Sequence, residues 1–283
     1  NTLDGNTTGS IDASTITTFT GTASALNTAY ASDGITGLGN EAVTLTDTSL
    51  SVSVLNTLDS NTTGSIDAST ITTLTGTVSA LNTAYASDGI TGLGNEAVTL
   101  TDTSLSVSVL NTLDSNTTGS IDASSITQFS GSAADINTTI TATGITTATD
   151  YNVTINDNPT LAQLITLNND TTGSITLSVT SDNFTGSMSD MLTAFSGSIT
   201  AYSGNLTVTD TSLSVDDINT LDSATSGTVD VSAVATLTGT VSALNSAYAS
   251  SGITGLGNEA ITISDTSLSV SVLNTLEIGR AHV

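Results

Sequence analysis

Residues 56–110 read NTLDSNTTGSIDASTITTLTGTVSALNTAYASDGITGLGNEAVTLTDTSLSVSVL, and residues 1–55 repeat this stretch with three differences. The differences are Gly5 for Ser60, Phe19 for Leu74 and Ala23 for Val78. A chain of near-identical copies is a tandem array, in which each copy packs mainly on its neighbours. Because such a chain presents the same surface repeatedly, the sequence favours a spacer, scaffold or multivalent binder over a single catalytic pocket.

The 55-residue repeat divides further at glycines that each precede a short β-branched stretch. These glycines are Gly9, Gly34, Gly64, Gly89, Gly119, Gly144, Gly173, Gly197, Gly227 and Gly252. Their spacing alternates between 24–25 and 29–30 residues, and it does so even in residues 137–226, which differ most from the first copies. We therefore expect one continuous solenoid over residues 1–276, with about ten coils in two-coil repeats and a diverged stretch at 137–226.

Each coil is predicted to begin with short parallel strands. Apolar and polar residues alternate with period two in Ser10–Asp12, Thr15–Thr17, Ala42–Leu45 and Asn205–Val208, which is typical of strands. The 60 threonines of the chain also favour β-structure.

A short helix is predicted to follow the strands. Val78–Tyr85 and Met188–Phe195 carry apolar residues at helical spacing, and Ser132, Ser187 and Ser214 each stand three residues before an acid, as in a helix cap. Pro159 is expected in the first turn of another helix. Helices of about ten residues need tertiary packing, so the pattern favours an α/β solenoid. The alternative is an all-β parallel β-helix, in which these segments form a third strand or a wide corner.

The chain ends interrupt the repeat. Glu277–Val283 looks like a translated sequencing adapter, so we expect 277–283 to lie outside the fold and both ends to be cuts through a longer protein. Arg280 and His282, in this segment, are the only Arg, Lys or His residues. Residues 1–276 are therefore expected to have no basic side chain.

A formal net charge of −25 excludes the cationic surface that nucleic acids and anionic lipids require. No apolar run is long enough for membrane insertion. There is no cysteine, so neither disulfides nor thiolate metal sites are available. An acidic surface attracts divalent cations, and carboxylates with amide and hydroxyl oxygens are ligands suited to calcium.

The candidate calcium ligands are aspartates that recur in columns or lie in small oxygen-rich clusters. They are Asp12, Asp67 and Asp122 in one column, Asp47, Asp102, Asp210 and Asp265 in a second, and Asp157 and Asp182 in the clusters. The sequence lacks an EF-hand loop and the calcium-binding nonapeptide, so these aspartates are also interpretable as turn and cap residues. No catalytic or cofactor-binding residue is assigned.

The turn Gly37-Leu-Gly39-Asn-Glu41 resembles a phosphate-binding loop but lacks its third glycine and lysine. We interpret it as a corner in which Gly37 and Gly39 adopt positive φ and Glu41 points outward. Glu96 and Glu259 recur at the same position. Threonine pairs such as Thr44 and Thr46 suggest an ice-binding face, but they recur only in alternate coils.

Four sequence motifs resemble the long threonine-rich tandem repeats of giant surface or secreted proteins of marine cyanobacteria. The motifs are Leu55–Asp59, Thr73–Thr77, Leu81–Ser87 and Gly89–Ala97, and the resemblance covers residues 1–136 and 197–276 best. It implies an extracellular or cell-surface location and an adhesive or cell-envelope role, but it supplies no functional residues.

We therefore expect a structural or adhesive repeat segment that is not an enzyme. Its expected partners are glycans, cell-surface proteins or identical repeats. The alternatives are a calcium-stiffened glycan-binding or ice-binding module and, more remotely, a polysaccharide-active enzyme that uses two carboxylates.

Overall fold

The computed structural model describes residues 2–195 and 199–274. Gly197 and the adapter-like segment 277–283 lie outside these residues. Short strands alternate with helices along the described chain. The helices are α1 (Thr2–Gly5), α2 (Ala23–Tyr30), α3 (Val52–Asn61), α4 (Val78–Tyr85), α5 (Val107–Asn116), α6 (Ala133–Thr141), α7 (Leu161–Asp170), α8 (Met188–Phe195), α9 (Val215–Ser223) and α10 (Val241–Ala249).

The strands have two to four residues each. They are β1 (Ile11–Asp12), β2 (Thr18–Gly21), β3 (Ile35–Thr36), β4 (Ala42–Leu45), β5 (Ser49–Ser51), β6 (Ile66–Asp67), β7 (Thr73–Gly76), β8 (Ile90–Thr91), β9 (Ala97–Leu100), β10 (Ser104–Ser106), β11 (Ile121–Ala123), β12 (Gln128–Gly131), β13 (Ile145–Thr147), β14 (Asn152–Ile155), β15 (Ile175–Leu177), β16 (Phe184–Gly186), β17 (Leu206–Val208), β18 (Ser212–Ser214), β19 (Val229–Asp230), β20 (Thr236–Gly239), β21 (Ile253–Thr254) and β22 (Ala260–Ile263).

The chain divides into two compact units. Unit 1 comprises Asn1–Gln128 and Thr138–Ala148, and unit 2 comprises Phe129–Asn137 and Thr149–Val283. In each unit the strand pairs with an assigned register are parallel. The sheet orders are β1-β3, β2-β4-β6-β8 and β5-β7-β9-β11-β13 in unit 1, and β16-β17-β19-β21 and β18-β20-β22 in unit 2, where β14 also pairs with β15. The architecture is therefore an α/β repeat-like arrangement of parallel sheets and helices.

Each sheet has few strands because two steps across the sheet cover fewer residues than one sequence repeat. Val43 pairs with Ile66 and Ile66 pairs with Ile90, so two steps across the sheet advance 47 residues along the chain. The repeat itself is 55 residues long. The paired position in the sheet therefore shifts by eight residues relative to the repeat every two strands. After a few strands, the next residue in register no longer lies in a strand, and the sheet ends.

Apolar side chains fill the space between helices and sheets. The aligned strand residues Val43 and Ile66 are buried, and α3 buries Val52, Leu55 and Leu58 against them. Burial of one such side chain contributes about 1.5–3 kcal/mol. This packing stabilises helices of eight to ten residues that would not persist alone.

Neighbouring helices are joined by asparagine side chains. The Asn27 Nδ2 of α2 donates to the Val54 carbonyl of α3, and the Asn56 Nδ2 of α3 donates to the Ala80 carbonyl of α4, both at 2.9 Å. In unit 2, Asn168 and Asn219 make the same bond to the following helix. Each asparagine therefore fixes the position of one helix on the next.

We call the ten glycines that divide the repeat the step glycines, and alternate members of the set are required by close backbone approach. A Cβ atom on Gly64 would lie 2.1 Å from the Glu41 carbonyl oxygen, and one on Gly119 would lie 2.0 Å from that of Glu96. Both distances are shorter than any real contact, so these positions admit no side chain. The alternate glycines therefore mark where one module crosses the preceding one; we use module for the stretch from one step glycine to the next.

The described helices contradict the all-β alternative. Val78–Tyr85 and Met188–Phe195 are helices with the predicted bounds, and Ala42–Leu45 is a strand as predicted. Two local predictions are wrong. Thr15–Thr17 is not a strand, because the chain turns after Asp12 and the strand begins at Thr18. Pro159 precedes the N-cap Thr160 and so lies outside the helix.

Candidate functional site

One predicted calcium column consists of helix caps. The Asp47 carboxylate accepts a hydrogen bond of 2.8 Å from the Ala23 backbone N–H, at the first residue of α2. Equivalent bonds cap α4, α6, α8 and α10; they run to Asp102 from Val78, to Asp157 from Ala133, to Asp210 from Met188 and to Asp265 from Val241. A carboxylate stabilises a helix N-terminus through the free N–H groups and the helix dipole. These aspartates therefore couple each such helix to the module that follows it.

The other predicted column closes local turns. The Oδ1 atoms of Asp12, Asp67 and Asp122 accept from the backbone N–H of Ser14, Ser69 and Ser124, each at 3.0 Å. Hydrogen bonds from the serine side chain and backbone lower the pKa of these aspartates. This is the turn role that short polar side chains commonly have.

Asp182 differs from both columns. Its Oδ2 atom is buried and has no hydrogen-bond partner among the described residues. Its backbone carbonyl accepts from the Tyr202 hydroxyl at 2.5 Å. Burial, together with the Asp182 charge, raises the pKa of Tyr202.

The predicted ligands do not converge on a metal centre. In residues 2–195 and 199–274, no three or more His, Cys, Asp or Glu side chains are grouped so that they could hold a metal ion. Calcium binding at Asp12, Asp47, Asp157, Asp182 and their equivalents stays a prediction, and the structure indicates no cofactor.

The turn that contains Glu41 corrects the sequence interpretation. Gly37 and Gly39 have φ values of 84° and 129°, as predicted, but Glu41 is buried and does not point outward. Its Oε2 atom accepts from the Gly39 N–H at 2.9 Å, the Asn40 N–H at 3.2 Å and the Tyr30 hydroxyl at 2.9 Å. The loop that resembled a phosphate-binding loop is thus an anion cradle filled by its own glutamate.

Internal hydrogen bonds keep this carboxylate ionised in the absence of a cation. Burial alone would raise the pKa of Glu41, but the bonds from the backbone and from Tyr30 outweigh burial and lower it. Burial first, and then the neighbouring carboxylate, raise the pKa of Tyr30 to about 12. We call this group, formed by Tyr30, the turn and Glu41, the sealed turn.

The sealed turn recurs at two further places. Glu96 is bonded by Tyr85 and Gly94, and Glu259 by Tyr248 and Gly257. In modules whose sequence has diverged from the repeat, another residue occupies the position of the glutamate. Tyr151 stands where the 55-residue repeat places Glu96; its ring packs edge-on against Phe129 and its hydroxyl donates to Asp170.

A third arrangement surrounds Gly204. The Thr225 hydroxyl donates to the Gly204 carbonyl just as the Thr117 hydroxyl donates to that of Glu96, so Gly204 occupies the glutamate position. A Cβ atom there would lie 1.8 Å from the Asp182 carbonyl oxygen, which excludes any side chain. Phe195 ends α8 at the place where Tyr85 ends α4. The partners of the sealed turn are thus both absent from this module.

A cleft lies beside the turn that contains Gly204. Phe184, Phe195 and Tyr202 pack together with ring centroids 4.7–6.0 Å apart, and Ala201 has a φ of 56°, which is uncommon for a residue with a side chain. The cleft beside them has a volume of about 540 Å³. Its lining includes Phe195, Tyr202, Thr220, Ser223, Thr225 and Ser226. We call it the open turn cleft.

The sheets also present outward columns of hydroxyl side chains. Parallel register aligns Thr20, Thr44, Asp67 and Thr91 in unit 1. It aligns Thr185, Thr207, Asp230 and Thr254 in the same way in unit 2. Successive residues of such a column are about 4.8 Å apart. The threonines are thus regularly spaced across strands, although an aspartate interrupts each column.

No protein-family model matches the sequence, and comparisons with curated proteins and with solved structures found no similar protein. In the part of the chain that the structure describes, no helix is long and apolar enough to span a membrane.

Sequence reasoning missed the capping role of the Asp47 column and the open turn cleft. The caps had a signal, because an aspartate follows the first residue of alternate helices by 24 residues at Asp47, Asp102, Asp157 and Asp265. The cleft had a weaker signal, the loss of Glu from the repeat at residue 204 together with the change of Tyr to Phe at residue 195.

Proposed function

We propose that the modules stack as an α/β solenoid and that the chain is a structural and adhesive segment of a large extracellular or cell-surface protein. In this role it acts as a spacer and as a multivalent interaction surface. It is not an enzyme in this proposal.

The outward hydroxyl columns carry the proposal. In the β2-β4-β6-β8 sheet, Val43 and Ile66 are buried while Thr44 on the same strand is exposed. The same alternation recurs in the β16-β17-β19-β21 sheet, where Val229 and Ile253 are buried while Thr254 is exposed. A partner with repeated groups can therefore bind at many equivalent places, each of them weakly.

The carboxylates support a structural role. Paired catalytic carboxylates need one shared cleft with separate environments for the acid and the base. The described aspartates instead recur in columns that cap helices or close turns, and Glu41, Glu96 and Glu259 are buried under their own loops. Their positions are explained by packing of one module on the next.

Substitution of threonines in the two units tests multivalency. The variants are Thr44→Val with Thr99→Val in unit 1, Thr207→Val with Thr262→Val in unit 2, and all four together. Valine keeps the β-branched shape and removes the hydroxyl. Binding of the full chain to a glycan array and to coated surfaces under flow should fall partly for each pair and further for all four.

Thr57→Val and Thr112→Val are matched controls, because these threonines are exposed on helices and should leave binding unchanged. Binding lost at one pair alone would contradict multivalent adhesion. Release of reducing ends from algal polysaccharide would contradict the non-enzymatic role. Small-angle scattering of the full chain tests the solenoid, which requires an elongated particle.

A further inference from the structure

We propose that the open turn cleft binds the end of a neutral oligosaccharide. This inference deepens the proposed adhesive role, on which it rests, because it assigns a partner class and one specific site to unit 2.

The cleft results from a specific change in the repeat. In the sealed turn, the carboxylate of Glu41 fills the space under the loop and satisfies its N–H groups. At Gly204 the Asp182 carbonyl oxygen and the Tyr202 hydroxyl leave no room for a side chain, so no carboxylate can stand there. Beside this turn, the aromatic rings of Phe195 and Tyr202 line the cleft. The aromatic side of the cleft is thus specific to this part of the chain, whereas Thr220 and Thr225 are the same residue types as Thr57 and Thr62 in the repeat.

The hydrogen-bonding groups of the opposite wall are mainly acceptors. The Thr220 hydroxyl donates to the Asp216 carbonyl at 2.8 Å, and the Ser223 hydroxyl donates to the Thr220 carbonyl at 2.6 Å. The Ser226 hydroxyl reaches the Tyr202 carbonyl at 3.5 Å. Because a hydroxyl has one proton and two lone pairs, these oxygens can still accept. They fit a ligand that carries several O–H donors.

The charges of the cleft and of the whole chain restrict the chemical class of the ligand further. No Asp or Glu is among the described residues that line the cleft, so its wall does not offer a partner for a cation. The net charge of −25 disfavours anionic ligands throughout the chain. A pyranose ring meets these conditions, since it is neutral, donates through its hydroxyls and has apolar C–H faces for the aromatic wall.

The cleft volume suits the end of such a chain. About 540 Å³ lies within the range of roughly 300–1,000 Å³ typical of small-ligand sites. An aromatic wall with a few placed polar groups is also typical of those sites. The cleft can therefore hold a few linked sugar rings.

Calorimetric titration of the full chain with cellotetraose, laminaritetraose and mannotetraose tests the proposal, with tetragalacturonate as the acidic probe. We expect at least one neutral tetrasaccharide to bind with a Kd on the order of 0.1–1 mM. Tetragalacturonate should bind at least about tenfold more weakly because of repulsion. Failure of all three neutral probes, or preference for the acidic one, would overturn the proposal.

Ala224→Trp places a large side chain in the cleft and should weaken binding at least about tenfold. Its matched control is Asn116→Trp, at the equivalent residue of the repeat, the last of α5, which should leave the Kd within about twofold. Ser223→Ala and Ser226→Ala remove exposed hydroxyls without affecting the core, and each should weaken binding about threefold. Unchanged binding in these serine variants would count against the cleft even if Ala224→Trp did not fold.

The outcomes separate this inference from the proposed function. Loss of binding at the cleft variants alone supports the cleft. If the neutral probes fail while the threonine variants reduce surface adhesion stepwise, the adhesive role stands without the cleft. Cleft binding with no effect of the threonine variants would support a single-site module and contradict multivalency.

Discussion

The sealed turn of unit 1 and the open turn cleft of unit 2 occupy the same place in the repeat but have different interiors. In unit 1, Glu41 is buried and bonded by two backbone N–H groups and by Tyr30. In unit 2, Gly204 has no side chain and Phe195 has no hydroxyl, so neither half of that bond can form. The crossing of the backbones is retained, since the Thr62 hydroxyl donates to the Glu41 carbonyl just as the Thr225 hydroxyl donates to the Gly204 carbonyl.

This difference shows that the backbone crossing and the side chain under the turn can change independently of each other. The threonine and glycine at alternate crossings, such as Thr62 with Gly64 and Thr225 with Gly227, are retained because the backbones approach closely there. The group under the turn is a separate feature: it is the carboxylate of Glu41, the ring of Tyr151, or the Tyr202 hydroxyl beside Gly204. Divergence at one module can therefore change the side chains around the turn while the crossing is kept.

Removal of the buried carboxylate should have the largest effect. Glu41→Ala leaves the Gly39 and Asn40 N–H groups and the Tyr30 hydroxyl without their acceptor, so we expect a loss of about 3 kcal/mol in the free energy of unfolding. Urea unfolding of the full chain measures the loss, and faster hydrogen exchange at the Gly39 amide would locate it. Asp33→Ala, at an exposed residue, is the control and should change stability by less than about 0.5 kcal/mol. A loss below about 1 kcal/mol for Glu41→Ala would show that water can replace the carboxylate.

The helix caps should matter equally in both units. Asp47→Ala removes the carboxylate that binds the first N–H of α2, and Asp210→Ala removes the one that binds the first N–H of α8. The local caps Thr22 and Ser187 remain, and each change should cost about 1 kcal/mol. Urea unfolding measures both. A large difference between the two variants would show that divergence in unit 2 has also changed the contact between modules.

A stabilising substitution is expected at Ala84. The Asn56 Oδ1 atom is buried and has no partner among the described residues, whereas the equivalent Asn111 Oδ1 accepts from Thr139 at 2.8 Å. Because Thr139 occupies the place of Ala84 in the next repeat, Ala84→Thr should supply the missing donor and add about 1 kcal/mol to the free energy of unfolding. Thr139→Ala is the reciprocal control and should destabilise. A destabilised Ala84→Thr would mean that α3 and α4 pack too closely for the added atoms.

Acid should weaken the sealed turn selectively. The pKa of Glu41 is lower in the folded chain than its usual value of 4.5. The bonds to the ionised form therefore contribute stability above about pH 4.5, and this contribution is lost as the pH falls through the folded pKa. Unfolding free energy measured from pH 7 to pH 3 should decline in the acid range, and Glu41→Gln should reduce that decline. Equal slopes for both proteins would contradict a titrating role for Glu41.

Much of the fold was predictable because it depends on patterns within about ten residues. The helices at Val78 and Met188 follow from apolar spacing, and alternate glycines of the period, such as Gly64 and Gly119, follow from close backbone crossings. Ala42–Leu45 alternates because one face of the strand meets the helices. These signals are local, so a single sequence contains them.

The wrong predictions concern segments in which polar contacts decide the structure and the apolar–polar pattern of the sequence does not. Thr15–Thr17 alternates like a strand, but the Asp12 carboxylate binds the Ser14 N–H and turns the chain first. Glu41 looks like a surface residue until Tyr30 and the loop N–H groups are placed around it. The Asp47 cap joins residues 24 positions apart, and only the stacking of modules brings them together. The cleft is lined by residues from separate segments, Phe195 to Tyr202 and Thr220 to Ser226, which only the fold brings together.

The helix caps also impose an order on the synthesis of the chain. Ala23 begins α2, but the carboxylate that accepts from its N–H belongs to Asp47. The Val78 N–H of α4 likewise donates to the carboxylate of Asp102. As the chain leaves the ribosome, each such helix has its local cap, such as Thr22, but lacks this carboxylate until about 24 further residues have been made. A nascent chain therefore completes the N-terminal hydrogen bonds of these alternate helices one module behind its growing end.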